Sequence, residues 1–295
     1  MLATAPLAAR PLWGFVPSSD SPLMALALAG CLASAVPAFA DAPARVVSMN
    51  LCTDQLAMML AAPGQLVSVS HLASEVQSSS MVEEARAYPM NRGQVEQVFL
   101  MRPDLVLAGT YTQVSTVDLL HRLGVEVVQV PPASSFVDAV EQVRIVGRAL
   151  GQEAKADAMA DAFAAEIEAA RFSGTPRTAA FYYPNGYTTG SGTLANEVLE
   201  LTGFTNLGAS SGVTGGGILP LERLVMAGPE LIVTSERYPG ASRSEDILVH
   251  PALRAVQARA GVELTSDADW VCGTPYLLRA IGKMQAARTA LEAGE

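Results

Sequence analysis

The chain has 295 residues, half of them apolar, and a formal net charge of −10. That length leaves room for roughly two domains of about 100 to 200 residues each, with enough apolar material for real cores. The acidic balance argues against nucleic acid as a partner, and it survives loss of the first 40 residues, whose two charges, Arg10 and Asp20, cancel.

In chain order, the first segment reads as an export signal. An apolar run over residues 23–36 is followed by Pro37 and then by Ala38-Phe39-Ala40 before Asp41, the small-x-small pattern of a secretory cleavage site. Cleavage is expected after Ala40. The run is shorter than the roughly 20 residues of a membrane span. The region ahead of it is long and holds only Arg10 as a cation, which fits a start nearer Met24. A second reading is a lipoprotein signal, Leu28-Ala29-Gly30-Cys31, lipidated on Cys31. Either way the mature protein is expected to be exported, leaving Cys52 and Cys272 in an oxidising compartment.

Past the signal, RVVSMN at 45–50 is a short β-rich run, and DQLAMMLAA from Asp54 is a helix ended by Pro63-Gly64. QLVSVS at 65–70 is a second strand. A helix around 95–101, a strand at 105–108, a helix around 114–123 stopped by Gly124 and the strand VEVVQV at 125–130 continue the alternation, and Pro131-Pro132 close the unit. Residues 135–172 form a long helical stretch with a weak point at 147–151. Its second part, QEAKADAMADAFAAEIEAAR, is rich in strong helix formers and is expected to be a continuous helix of about 20 residues, roughly 30 Å long. A rod of that length can span two lobes. After Gly174-Thr175-Pro176 the alternation restarts with the strand TAAFYY and the helix TLANEVLELTG ended by Gly203. The helix LERLVMA, the strand ELIVTS, the helix PALRAVQA, the strand GVELTS and a helical segment from Thr274 onward complete it. Strands and helices in turn imply parallel sheets with helices on their faces. The expected boundaries are a signal peptide at 1–40, an N-terminal α/β lobe at 41–134, a linking helical segment at 135–173 and a C-terminal α/β lobe at 174–295.

One unit is written twice. VEQVFLMRPDLVLAG at 95–109 returns as LERLVMAGPELIVTS at 221–235, with Glu second, Pro ninth and an acid tenth in both. Val95, Val98 and Phe99 in the first copy, and Leu221, Leu224 and Val225 in the second, fall at i, i+3 and i+4 on one helical face. Glu96 and Glu222 lie beside that stripe and should point to water. The Pro-acid pair breaks the helix locally, because the residue before proline is poor in helical geometry, and the chain turns into a buried strand.

The order of these pieces, with GQVEQVFLMRPDLVLAG, the long helix, GTLANEVLELTGFTNLG and LPLERLVMAGPELIVTS, resembles the helical-backbone periplasmic substrate-binding proteins of ABC importers that serve vitamin B12 and ferric siderophores. The resemblance covers nearly all of the mature chain. It implies two Rossmann-like lobes with mostly parallel sheets, joined by a single long backbone α-helix. It also implies a monomer that holds one small molecule, a corrinoid or a ferric chelate, between its lobes and delivers it to permease subunits in the inner membrane. In that family an exposed Glu on each lobe docks onto arginine pockets of the two permease subunits; by motif these are Glu96 and Glu222. No resident cofactor is implied, cobalt or iron belonging to the transported ligand. Haem or a metal ion held by the same fold is the alternative.

Ligands of open α/β sheets sit beyond the carboxyl ends of the strands. That rule selects Asn50, Cys52 and Thr53, then His71, then Thr110 and Tyr111, then Tyr183 and Tyr187, and finally Trp270 with Cys272. The loop YPMNRG matches a cleft loop of the family and adds Tyr88, Met90, Asn91 and Arg92. Aromatics with one polar tip suit a large, flat, partly apolar ligand. For Cys52 and Cys272 a bridge across the lobes and two thiols lining the cleft are both open, thiols being the expectation. His71, His121 and His250 form no cluster in sequence, so a bare transition metal is not expected. GYTTGSGTLANE could hold an anion at a helix start, but it lacks the Gly-Lys-Ser/Thr of a nucleotide loop and reads as a flexible turn. A secreted two-lobed enzyme is the rival class. It would rest on Cys52 with His71, a pair that no G-x-S-x-G or H-E-x-x-H motif supports.

Overall fold

The computed structural model describes residues 42–235, 242–265 and 267–294; the signal-peptide reading over residues 1–40, including Cys31 and the expected cleavage after Ala40, lies outside them. The first lobe runs β1 (Val46–Ser48), α1 (Leu51–Leu60), β2 (Leu66–Ser70), α2 (Val82–Ala85), β3 (Met90–Asn91), α3 (Val95–Leu100), β4 (Leu105–Gly109), α4 (Val114–Arg122) and β5 (Glu126–Val130). Its five strands are all parallel, in the order β3-β2-β1-β4-β5. The near-continuous apolar runs of β1 and β4 are those of strands buried on both faces.

The helical stretch expected at 135–172 folds back on itself at Gly151, inside the weak point read at 147–151, and its second part forms the expected helix on its own. α5 (Phe136–Leu150) starts from Ser135, whose hydroxyl accepts from the Asp138 N–H while the Asp138 carboxylate accepts from the Ser135 N–H; α6 (Glu153–Ala169) then returns alongside it. The pair packs so closely that a Cβ on Gly147 would lie 2.1 Å from Cβ of Ala156, so glycine there is what permits the contact. Arg144 on α5 ties the outer side of the pair to Asp157 and Asp161 on α6, at 3.5 and 2.7 Å.

Both helices reach both lobes. At one end the Phe136 N–H of α5 donates to Glu197 in the second lobe, and at the other the Leu150 carbonyl accepts from Gln65 Nε2 in the first, at 2.7 Å. α6 begins where Lys155 Nζ donates to the Leu60 carbonyl and ends where the Ala170 carbonyl accepts from Gln285 Nε2. The strut is therefore doubled, and its 17-residue second helix spans about 25 Å.

The second lobe runs β6 (Arg177–Phe181), β7 (Tyr187–Thr189), α7 (Leu194–Leu201), β8 (Phe204–Asn206), α8 (Leu207–Ser210), β9 (Gly216–Ile218), α9 (Leu221–Ala227), β10 (Leu231–Ser235), α10 (Pro251–Gln257), β11 (Gly261–Thr265) and α11 (Leu277–Ala293). Four parallel strands in the order β11-β10-β6-β8 make its sheet, and β7 pairs antiparallel with β9 at the side. The order β2-β1-β4-β5 of the first lobe and β8-β6-β10-β11 of the second are the same winding. One apolar core runs through Leu56 and Leu60, the facing side of α5 and α6 (Val143, Val146, Ala156, Ala160, Phe163) and on to Val198, Leu199 and Phe204.

Candidate functional site

In each sheet the chain winds outward in both directions from its first strand, which creates a crevice at the carboxyl ends where the winding reverses. In the first lobe the reversal lies between β1 and β4. Asn50 follows β1 as the cap of α1, its Oδ1 accepting from the Cys52 and Thr53 N–H groups at 3.0 and 3.4 Å. β4 ends at Gly109, where a Cβ would lie 3.0 Å from Asn50 Nδ2. The hollow there has a volume of about 220 Å³ and is lined by Asn50, Cys52, Thr53, Thr110, Tyr111, Pro131, Pro132 and Gln142 among others.

In the second lobe the reversal lies between β6 and β10. Its hollow, about 490 Å³, is lined by Ala133, Tyr183, Pro184, Tyr187, Thr189, Thr193, Ser235, Trp270 and Val271 among others. Trp270 is 8% exposed and sets its edge against Phe181, centroids 5.2 Å apart, while Phe181 stacks on Tyr183 at 6.0 Å. The two hollows adjoin along Pro132 and Ala133, and again where Cys52 of the first is bonded to Cys272, next to Val271 of the second.

The described lining of both hollows consists of hydroxyl, amide, aromatic and aliphatic groups, without an ionisable Asp, Glu, Lys, Arg or His. Two of its polar atoms are held in reserve. Gln142 donates through Nε2 to the Pro131 carbonyl but its Oε1 is buried without a partner, and so is Oγ1 of Thr189. Neither was legible in sequence, because Gln142 sits mid-helix in α5 and Thr189 follows no major strand. Among the described residues no group of three or more His, Cys, Asp or Glu side chains converges to hold a metal ion.

Of the residues singled out in sequence, Asn50, Cys52, Thr53, Thr110 and Tyr111 come together in the first hollow, and Tyr183, Tyr187 and Trp270 in the second. Thr53 presents little to a ligand, since its hydroxyl is engaged by Ser48 Oγ at 2.8 Å and the Asn50 carbonyl at 2.9 Å. Tyr88, Met90, Asn91 and His71 are not brought to either hollow. Tyr88 packs against the main core. Met90 stands on the outermost strand of the sheet, and His71 follows β2, on the far side of β1 from the reversal. Asn91 is fully buried, its Nδ2 donating to the Ser48 carbonyl, Ser68 Oγ and the Val69 carbonyl, so it pins β1, β2 and β3 together. Arg92 lines a separate open groove of about 730 Å³ with Glu96, Gln113 and Tyr111, which joins it to the mouth of the first hollow.

The expectation of two cleft thiols is corrected. Cys52 and Cys272 form a disulfide with their Cα atoms 5.1 Å apart. The physical reason is tertiary: the segment before α11 crosses to the first lobe, where Thr274 Oγ1 donates to Gln55 Oε1, Ala268 N–H to the Gln77 carbonyl and Ser80 Oγ to the Ala268 carbonyl. The bridge also removes the nucleophile on which an enzyme reading would rest. Away from the first hollow, on the β2 side of α1, Asp54 is fully buried and accepts from the Ser70 N–H and hydroxyl. Burial raises its carboxyl from 3.8 to about 6, against the lowering by these hydrogen bonds and by His71.

Glu96 and Glu222 are both exposed, as the repeat predicts, and neither has an ion-pair partner among the described residues. Under them Val98 and Leu224 are fully buried, each in its own satellite core. The tenth residue of each copy has a shared role that the sequence did not reveal. Asp104 accepts the Ala44 and Arg45 N–H groups at the start of β1, and Glu230 accepts the Thr178 N–H of β6 and Arg177 Nη1 at 3.0 Å. Each acid thus anchors the strand beside its own.

Comparison with known proteins places this geometry. The profile of the periplasmic binding protein family matches residues 46–268. A cobalamin-binding protein of Halobacterium salinarum is 29% identical over 216 residues, 71% of this chain and 58% of that protein. The ABC transporter substrate-binding lipoprotein YvrC of Bacillus subtilis, itself uncharacterized, is 27% identical over 206 residues, 66% of this chain and 64% of its own. The chain therefore spans about 60% of the length of these curated relatives. Among solved structures, the apo haem-binding protein RhuT from Roseiflexus superposes with a TM-score of 0.66 at 21% identity, covering 82% of this chain and 98% of that one. The vitamin B12 binding protein BtuF of Vibrio cholerae gives 0.64 at 18%, covering 85% and 98%.

Proposed function

The chain belongs to the periplasmic binding protein family, and from that premise we propose that it is the exported receptor of an ABC importer, holding a cobalamin or an iron complex in the cleft and handing it to the membrane permease. The observation that carries the reading is the pair of adjoining hollows at the winding reversals of two like sheets, one presenting Tyr111 and the other Tyr183, Tyr187 and Trp270. Large amphipathic rings of this kind suit a flat macrocycle.

Among the candidate ligands cobalamin is favoured. Its periphery carries neutral amides, which match the hydroxyl and amide groups of the described lining, whereas the carboxylates of haem call for cations. The name of the Halobacterium relative points the same way. Haem is the second reading, supported by the haem-binding proteins among the structural neighbours.

Titration of the purified protein with cyanocobalamin, haemin and ferrichrome, followed by visible absorption, tests this. Saturable binding of cyanocobalamin that Trp270→Ala weakens by about tenfold is expected; saturation by haemin alone moves the reading to haem, and binding of none of the three overturns it. In the docking role, reversing both Glu96 and Glu222 to Lys abolishes delivery to the permease at unchanged ligand affinity. Lost affinity would sink that role. The receptor acts as a monomer, is cleaved after Ala40, and moves its lobes little, because the doubled strut and the bridge both resist rotation.

A further inference from the structure

The second and sixth positions of the repeated helix coincide in a way that the carboxylates alone do not explain. Leu100 and Met226 occupy the same place in the two copies, four residues after Glu96 and Glu222, and are 79% and 86% exposed. A single exposed aliphatic residue is unremarkable in any protein. Here, however, the core-facing need of each helix is already met by Val98 and Leu224, both fully buried. The third positions differ, an exposed Arg223 in one copy and in the other a half-buried Gln97 whose amide is bonded to the Arg92 N–H and the Met90 carbonyl. Residues four apart share a helix face, so each lobe shows a carboxylate with a long apolar side chain one turn beyond it.

We propose that Leu100 and Met226 are matched apolar anchors, which seat beside Glu96 and Glu222 in sockets that a partner presents twice. The chemistry asked of each socket is a cation next to an apolar recess. A surface that occurs twice is what a pair of identical subunits supplies, because a two-fold axis repeats every patch. This rests on the permease reading and deepens it: the occupant is the paired membrane subunits, bound through one mixed charged and apolar contact per lobe. In the first lobe that contact borders the groove shared by Glu96 and Tyr111, which places it at the cleft mouth.

The test uses the ligand-free mature protein and the permease complex in lipid nanodiscs, with affinity read by biolayer interferometry for L100S, M226S, the double variant and E96A/E222A. Each single serine variant should bind about tenfold more weakly and the double variant about a hundredfold, with melting temperature and cyanocobalamin affinity unchanged. If E96A/E222A loses binding while the double serine variant stays within twofold of the parent, the apolar anchors are overturned and the carboxylate docking stands. If neither pair matters, both fall. An effect confined to one lobe also overturns the matched pair, as would a concentration-dependent dimer of this chain that L100S/M226S abolishes, which would assign the face to a second copy.

Discussion

After α3 the first lobe turns into its strand through Arg102, Pro103 and Asp104; after α9 the second lobe does so through Gly228, Pro229 and Glu230. The backbone is the same, with φ of 50° at Arg102 and 54° at Gly228. Both acids anchor the neighbouring strand. What differs is the residue placed in the left-handed position, free of strain as glycine and costly as arginine. The comparison teaches that the path of the chain is held by the acid and the proline, while the side chain at the bend can drift at a moderate cost. A second pairing repeats the lesson. α1 is tied to the end of β2 by Asp54 and Ser70, and α7 is tied to the corresponding β8 by Asn196, whose Oδ1 accepts from Asn206 Nδ2 at 2.9 Å. One lobe makes this link with an ionisable group, the other with a neutral one.

The largest effect is expected where the lobes have no counterparts. The Cys52–Cys272 bridge closes a separation of 220 residues, so the C52A/C272A variant should lose about 4 to 5 kcal/mol if its cross-link acts on the unfolded chain, measured by urea denaturation. Parent and variant of equal stability would show that the cross-lobe hydrogen bonds suffice. Next is Asp54. Its folded pKa of about 6 lies above 3.8, so the native state holds the extra proton between those values. The stabilisation is full below pH 3.8 and is lost as pH rises through 6, about 3 kcal/mol in all. D54N, which makes the first lobe resemble the second, should flatten that slope, read as the difference in unfolding free energy from the parent at pH 4 and pH 7. A parallel pair of profiles would contradict it.

Smaller and equal losses are expected from D104A and E230A, about 1 to 2 kcal/mol each, checked by thermal unfolding; a loss in one lobe only would break the equivalence of the two acids. The smallest effect is the exchange at the bend. R102G should gain, and G228R lose, up to about 1 kcal/mol. A Cβ at Gly228 meets nothing within 4 Å, which leaves backbone strain as the sole cause.

Much of the lobes was legible because their signals are local. The core-facing stripe of Val95 and Val98, the stop at Gly124 and the Pro-acid breaks each depend on a few neighbouring residues. β8 was missed because its three residues, Phe204–Asn206, hold no apolar run, unlike the Val-Val of the equally short β1, and α1 begins at Leu51 rather than Asp54 because the Asn50 cap lies inside what resembled a strand end. At the cleft, residues just beyond a strand of the reversal, such as Thr110 and Tyr183, could be named from order alone. Asn91 and Tyr88 could not be told from ligand contacts, since whether a polar or aromatic group faces a core or a crevice depends on which strands are neighbours.

The sequence by itself determined the alternation of strands and helices, the duplicated unit and the outward aim of Glu96 and Glu222, because periodicity and backbone-breaking residues act over one or two turns of chain. Only the tertiary structure decided that the connecting helices lie side by side, that Cys52 meets Cys272 and that Gln142 and Thr189 edge the cleft. Those outcomes rest on close approaches beyond one or two turns of chain, nine residues apart for Gly147 on Ala156 and 219 for Thr274 on Gln55, which no local pattern encodes.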